Sequence, residues 1–320
     1  MATIGPIMAD VGGLALSDED RDVLKHPLIG GVILFARNYS DPEQLRALCN
    51  ELLALKRPRL LLAVDHEGGR IQRFRVGFSR VPSMRSLGKL WDESSVRALH
   101  AAQAHGATIA RELTAFGIDL SFAPVLDLDH GVSTVIGDRA FDEDPRRVIS
   151  LARAFIAGMA EYGMSATGKH FPGHGAIAAD SHLELPVDRR AMEQIESRDL
   201  VPFRALINDG IASLMMAHVR YSAVDETPAS LSRKWIRNYL RRKLGYQGAV
   251  FCDDLSMKGA AVVGDAVVRC EMALDAGCDM LPVCNDREAV VQVLDALPVK
   301  SRPAASRRLA AVYRREGARG

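Results

Sequence analysis

Eight short apolar runs, each followed by a longer amphipathic stretch, constrain this chain more than any other feature. The runs cover residues 3–10, 31–36, 60–64, 121–126, 164–167, 213–218, 248–254 and 279–283. An unbroken run such as Gly31-Val32-Ile33-Leu34-Phe35-Ala36 is what a strand buried on both faces requires. Helical patterning fills 17–25, 94–116, 145–162, 190–208, 232–244 and 266–276. Another helix opens at Asp41-Pro42, where the missing amide of proline does no harm in the first turn. Eight strand–helix units are the count for a (β/α)8 TIM-type barrel. A doubly wound sheet is the alternative, but Gly12-Gly13 does not make the glycine-rich dinucleotide loop usual after its first strand. No low-complexity or Gly/Pro-rich linker interrupts the pattern, so one domain over 1–320 is expected. Its last twenty or so residues, rich in Arg and Ala, form a terminal helix or a frayed tail.

Composition narrows the function classes. With 48% hydrophobic and 25% charged residues, the chain has the profile of an ordinary globular protein. The formal net charge of +1 comes from interleaved acids and bases, with no basic block, so nucleic acid is not an expected partner. Five scattered cysteines without a C-x-x-C pair read as reduced, packed thiols. Asp10 falls early and no basic segment precedes a long apolar run, which argues against a signal peptide. No run is long enough to span a bilayer, so a cytoplasmic location without membrane partners is expected.

Polar groups stand at or just past the ends of many apolar runs: Asp65, Asp127, His170, His218 and Asp253. In a barrel these ends share one rim, the active-site mouth. The densest stretch is Lys169-His170-Phe171-Pro172-Gly173-His174-Gly175, followed by Asp180-Ser181-His182. His170 and His174 have the spacing of a helical metal site, but Pro172 and Gly173 disfavour a helix between them. A metal-dependent barrel hydrolase using His170, His174 and Asp180 is the competing reading. The favoured one is a loop that binds substrate near its root and moves a proton near its tip. On an extended backbone, Asp180 and His182 face the same side, so the carboxylate can orient the imidazole and raise its basicity. In Asp253-Asp254, strand alternation points one carboxylate into the barrel and leaves the other to cap the following turn. An inward carboxylate facing a histidine acid/base is the apparatus of retaining glycoside hydrolysis, with imidazole in place of the usual second carboxyl.

Several stretches together resemble family 3 glycoside hydrolases, and within them the bacterial single-domain β-N-acetylglucosaminidases of cell-wall recycling. They are Asp65-His66-Glu67-Gly68-Gly69-Arg70 with Arg73, Phe122-Ala123-Pro124-Val125-Leu126-Asp127, Ile136-Gly137-Asp138-Arg139-Ala140-Phe141, the Lys169–Gly175 and Asp180–His182 stretches, and Asp253-Asp254-Leu255-Ser256-Met257. They occur in family order over nearly the whole chain. The resemblance implies a nucleophile at Asp253 and an acid/base at His182 assisted by Asp180. It implies sugar-binding roles for Asp65, Arg73, Arg139, Lys169 and His170. It implies a retaining exo-hydrolase acting on muropeptide fragments that carry N-acetylglucosamine on anhydro-N-acetylmuramic acid, with no metal or organic cofactor. His66, Cys252 and Ala176-Ile177 depart from the usual pattern, which has Gln, Ser and Asp-Thr there. Alternation turns Cys252 toward the surrounding helices rather than the mouth. A non-catalytic sugar-binding protein is a third class, which intact Asp253 and His182 argue against.

Overall fold

The computed structural model describes residues 3–179 and 185–315. Eight parallel strands form one sheet: β1 (Ile7–Ala9), β2 (Ile29–Leu34), β3 (Leu61–Val64), β4 (Leu120–Ser121), β5 (Ser165–Phe171), β6 (Ser213–Met216), β7 (Ala249–Cys252) and β8 (Leu281–Pro282). The spatial order is β7-β6-β5-β4-β3-β2-β1-β8. A bridge between Phe251 and Met280 and the bond from Leu255 N to Pro282 O join β8 back to β7. The sheet is thus a nearly closed (β/α)8 barrel, and sequential strands lie side by side as short right-handed crossovers require.

Amphipathic helices follow the strands: α1 (Asp18–Lys25), α2 (Pro42–Ala54), α3 (Ser95–Thr114), α4 (Pro145–Glu161), α5 (Leu200–Asn208), α6 (Lys234–Lys243), α7 (Ala266–Ala276) and α8 (Arg287–Ala296). Their starts are chemically marked. Ser17 and Asp20 form a reciprocal capping box, and Asp41 accepts from the Glu43 and Gln44 amides ahead of Pro42. α6 is wound as a π-helix.

Two apolar layers follow from strand alternation. Met8, Ile33, Leu61, Ala63, Leu120, Phe122, Met215, Ala249, Phe251 and Met280 fill the barrel interior. The alternate strand residues, among them Val32, Leu62, Val250 and Cys252, pack outward against the helices. Ile4, Leu309 and Val312 join the interior layer, the last two from or just beyond the closing helix α9 (Pro303–Ala310). Near the amino end of β8, the fully buried Asp279 accepts from Val250 N, Arg241 and both donors of the Arg308 fork, at 2.6–3.0 Å. A buried carboxylate at that face of a barrel serves stability.

Three elements differ from their sequence reading. β5 continues past Thr167 through Lys169 and His170, which therefore sit on a strand rather than on a loop. Buried acids nearby compensate both side chains, so the charged residues do not end the strand. The fourth run, expected over 121–126, pairs regularly only at Leu120–Ser121, with an isolated bridge at Val125. Pro124 has no amide to offer the ladder. The helix expected over 190–208 is two helices, Met192–Ser197 and α5. Pro202 cannot donate in a helix interior and sits in the first turn of the second helix.

Candidate active site

At the carboxyl ends of the strands lies a cavity of about 180 Å³. Its lining includes Asp65, Arg73, Arg139, Lys169, His170, His174, Asp253 and Asp254, with Phe35, Phe122, Met215 and Met257 among the apolar walls. Every sugar-binding candidate and the candidate nucleophile therefore meet in one place. Asp180 and His182 lie outside the described residues. A larger void of about 520 Å³ sits at the other end of the barrel, beside the starts of β5 and β6, and is lined mainly by apolar residues together with Arg153, Asp209 and Arg315. Barrel active sites form at the carboxyl face, so the smaller cavity is the candidate.

Asp253 follows β7 and Asp65 follows β3. In the strand order these strands are four apart in either direction, so the two carboxylates face each other across the mouth. On β7, Phe251 faces the interior, Cys252 packs outward and Asp253 lines the cavity. The Asp254 carboxylate accepts from Ser256 N, Ser256 Oγ and Cys284 N at 2.8–3.1 Å, the turn-capping use of the second Asp. Its amide donates to Asp253 Oδ1 at 2.9 Å. Burial works against the charge on Asp253, yet His218, His170, that amide and the Lys169 ammonium hold its carboxyl below the usual range. An ionised carboxylate suits nucleophilic attack and cannot donate a proton. Burial pushes the Asp254 carboxyl up, to about 6.

The opposite wall is a chain of alternating charge. Lys169 Nζ lies 2.9 Å from Asp65 Oδ1 and 2.6 Å from Glu67 Oε1. Arg139 grips Glu67 with two bonds of 2.9 and 2.8 Å. Arg73 stands 3.6 Å from Asp65, and its buried Nε has no partner among the described residues. Burial would raise the Glu67 carboxyl, but the Arg139 and Lys169 cations overcome it and hold it far below the carboxylate range. Glu67 is thus no reserve proton donor.

Asp127 is fully buried behind β5. It accepts from His170 Nδ1 at 2.7 Å, from the His170 amide at 3.2 Å and from the His174 amide at 2.8 Å. With Nδ1 donating to Asp127, His170 Nε2 is the ring atom left for a ligand. The two histidine rings are 6.2 Å apart and inclined at 71°. Among the described residues, no group of three or more His, Cys, Asp or Glu is arranged to hold a metal ion. His218 sits beside the Asp253-Asp254 pair, with Nδ1 2.6 Å from Ser230 Oγ and Nε2 2.8 Å from the Asp254 carbonyl.

Sequence reasoning missed the role of Glu67, which stands there only as part of a motif. A signal was present: Glu67 stands two residues after Asp65, hence on the same side of an extended segment. His66 is absent from the cavity lining. It is buried beside Phe74 and Phe78, and burial pushes its imidazole down to about 4.

A (β/α)8 barrel with a carboxylate facing a dense array of cations and acids across its mouth defines a class, the sugar-cleaving barrel enzymes. The profile of the Glycosyl hydrolase family 3 N terminal domain matches residues 6–312. The chain belongs to glycosyl hydrolase family 3 and is a glycosidase. It is 55% identical to a beta-hexosaminidase of Thiobacillus denitrificans over 97% of this chain and 87% of that protein. A beta-hexosaminidase of Aromatoleum aromaticum is 53% identical over 91% and 82%. Among solved structures, NagZ from Neisseria gonorrhoeae in complex with N-trifluoroacetyl-D-glucosamine superposes with a TM-score of 0.94 at 44% identity, covering 99% of this chain and 91% of that one. A family 3 beta-N-acetylglucosaminidase from Paenibacillus gives 0.88 at 34% identity, covering 96% and 60%.

Proposed function

We propose that this glycosidase is a retaining exo-β-N-acetylhexosaminidase that removes terminal N-acetylglucosamine from muropeptide fragments. One observation carries the reading: Asp253, held ionised, faces the Asp65–Lys169–Glu67–Arg139 array across a small cavity. A sugar bridging that gap presents its anomeric carbon to Asp253 and its remote hydroxyls to Asp65, Arg73, Lys169, Arg139 and His170. Charged donors and acceptors make the stronger hydrogen bonds to neutral hydroxyls. The cavity is smaller than the roughly 300–1,000 Å³ that encloses a drug-sized ligand, which suits one terminal sugar rather than the middle of a chain.

In the first step Asp253 attacks the anomeric carbon while protonated His182, oriented by Asp180, gives its proton to the departing oxygen. In the second, neutral His182 takes a proton from water, which displaces Asp253 and restores the configuration. The hexosaminidase names of the relatives and the N-trifluoroacetylated glucosamine bound to the Neisseria protein support an N-acylated amino sugar, here the acetamido sugar. The muropeptide leaving group comes from the resemblance of the motifs to the cell-wall recycling branch. One barrel domain suffices for this chemistry, and action in the cytoplasm fits the reduced cysteines. Among the described residues, no helix is long and apolar enough to cross a membrane.

A panel of aryl β-glycosides tests the reading. The N-acetylglucosaminide is expected to be the best substrate, with β-configured sugar released first. Preference for a glycoside lacking the acetamido group, or release of the α-anomer, contradicts it.

A further inference from the structure

Of the acids that touch the cavity, Asp65 and Asp253 have roles toward a sugar in the proposed reading and Asp254 caps a turn, but Glu67 does not line it. Its side chain is 2% exposed. It is carried on a tight antiparallel hairpin of His66–Gly68 with Ile71–Gln72. Gly68 adopts φ +105°, and a Cβ there would meet the Pro82 carbonyl at 2.6 Å, so the hairpin depends on glycine at this position. This rigid mount sets one carboxylate between two cations that do line the cavity.

We propose that Glu67 is the positioning residue of the sugar site, fixing which N–H groups of Lys169 and Arg139 face the ligand. Arg139 has five N–H donors. Two go to Glu67 and one to the Val135 carbonyl, which leaves two for the cavity. Lys169 has three donors. One is directed to Glu67 and one to Asp65, which leaves a single N–H for a hydroxyl. The same carboxylate thus sets the rotation of the ammonium and the plane of the guanidinium. It also offsets two buried positive charges beside the reacting sugar, whose transition state is itself cationic. Removing its charge leaves one cation without an acceptor, and that cation then competes for Asp65 or turns out of register with the sugar.

The alternative is an ion pair that only stabilises the fold, and the test separates the two. It rests on the glycosidase reading, so every variant is assayed on whichever aryl glycoside the parent protein cleaves fastest. A surprise in sugar preference then overturns the proposed substrate and leaves this test intact. Glu67→Gln keeps the volume and removes the charge. It is expected to remain folded, to lose kcat/KM by about 100-fold, the scale of misplaced substrate contacts, and to bind the free product sugar more weakly by a similar factor. Glu67→Ala leaves a gap between two cations that a small carboxylate can enter. Added formate is expected to restore its activity saturably, to yield only the free sugar, and to have no such effect on the parent. If Glu67→Ala does not fold, Glu67→Gln decides alone through kcat/KM and product affinity. A folded Glu67→Gln with kcat/KM and product affinity near the parent values overturns the proposal. So does a folded, impaired Glu67→Ala that formate does not rescue.

Discussion

Replacing Asp127 by Asn probes how the buried acids behind the cavity shape its chemistry. The carboxylate now accepts two backbone N–H groups and His170 Nδ1–H, all in a site closed to water. An amide has the same shape but only one acceptor oxygen, and its NH2 must face a former donor. The least costly repair is a tautomer change: the Asn NH2 donates to His170 Nδ1, and the ring proton moves to Nε2. His170 then turns from acceptor to donor on the ligand side. Hydrogen bonds to a buried charge contribute roughly 1.5–3 kcal/mol each, and with one or two retained in weaker form the loss is about 3 kcal/mol. For a chain of this size that is a fall in Tm of about 5 °C. An inverted ring proton lowers kcat/KM by about 100-fold or more. The pH dependence has a definite sign. Burial disfavours the charge, but His170 and the amides win, so the folded pKa of Asp127 lies below its unfolded value. The stabilisation is fully present above about pH 4, the unfolded range, and is lost as pH falls through the folded value. Thermal melts of parent and variant from pH 3 to 8, with kcat/KM alongside, read all of this. Equal Tm at neutral pH with unchanged kcat/KM would falsify the role given to Asp127.

Further outcomes follow from the proposed mechanism and from the site. His182→Ala is expected to slow cleavage of a disaccharide severely and of a nitrophenyl glycoside much less. It should show a burst with the activated substrate and yield a β-glycosyl azide when azide is added; equal damage to both substrates without a burst removes His182 from acid/base duty. Asp254→Asn keeps matched partners in Ser256 and Cys284 while removing a charge that burial disfavours, since the folded pKa is raised to about 6. Stability from protonated Asp254 is present at low pH and fades as pH rises through that value, so the variant should gain on the parent between pH 5 and 8, by about 1 kcal/mol. A constant difference in Tm across that range contradicts the raised value. Activity is expected to survive prolonged chelation; loss with recovery on adding zinc would promote the metal-dependent reading.

The fold was legible because its signals are local and redundant. Apolar runs pointed to eight strands, and the pattern beginning at Ser17 and the Asp41-Pro42 step marked helix starts within a residue. Boundaries failed where partners far along the chain decide the outcome. β5 runs through Lys169 and His170 because Glu67 and Asp127 neutralise them from other segments, which no local pattern contains. Within the site, alternation on β7 turned Cys252 outward and allowed only one of Asp253 and Asp254 to face inward, and the family resemblance chose Asp253. The motifs brought Asp65, Arg73, Arg139, Lys169 and His170 together because each follows or ends a strand on one rim. Pairings behind them were not legible, since a carboxylate that faces a ligand and one that faces a lysine look alike in sequence. Glu67 and Asp127 became distinct from Asp65 only when burial and distances were known.

The claim on which the rest depends is that Asp253 forms a bond to the sugar. A slow fluorinated glycoside with a good leaving group should inactivate the enzyme and leave a sugar-sized mass on the peptide spanning β7. Fragmentation should place that mass on Asp253. Label on Asp254 would reverse the assignment within the pair, and clear turnover with no label on either residue would mean that the substrate's own acetamido group makes the attack.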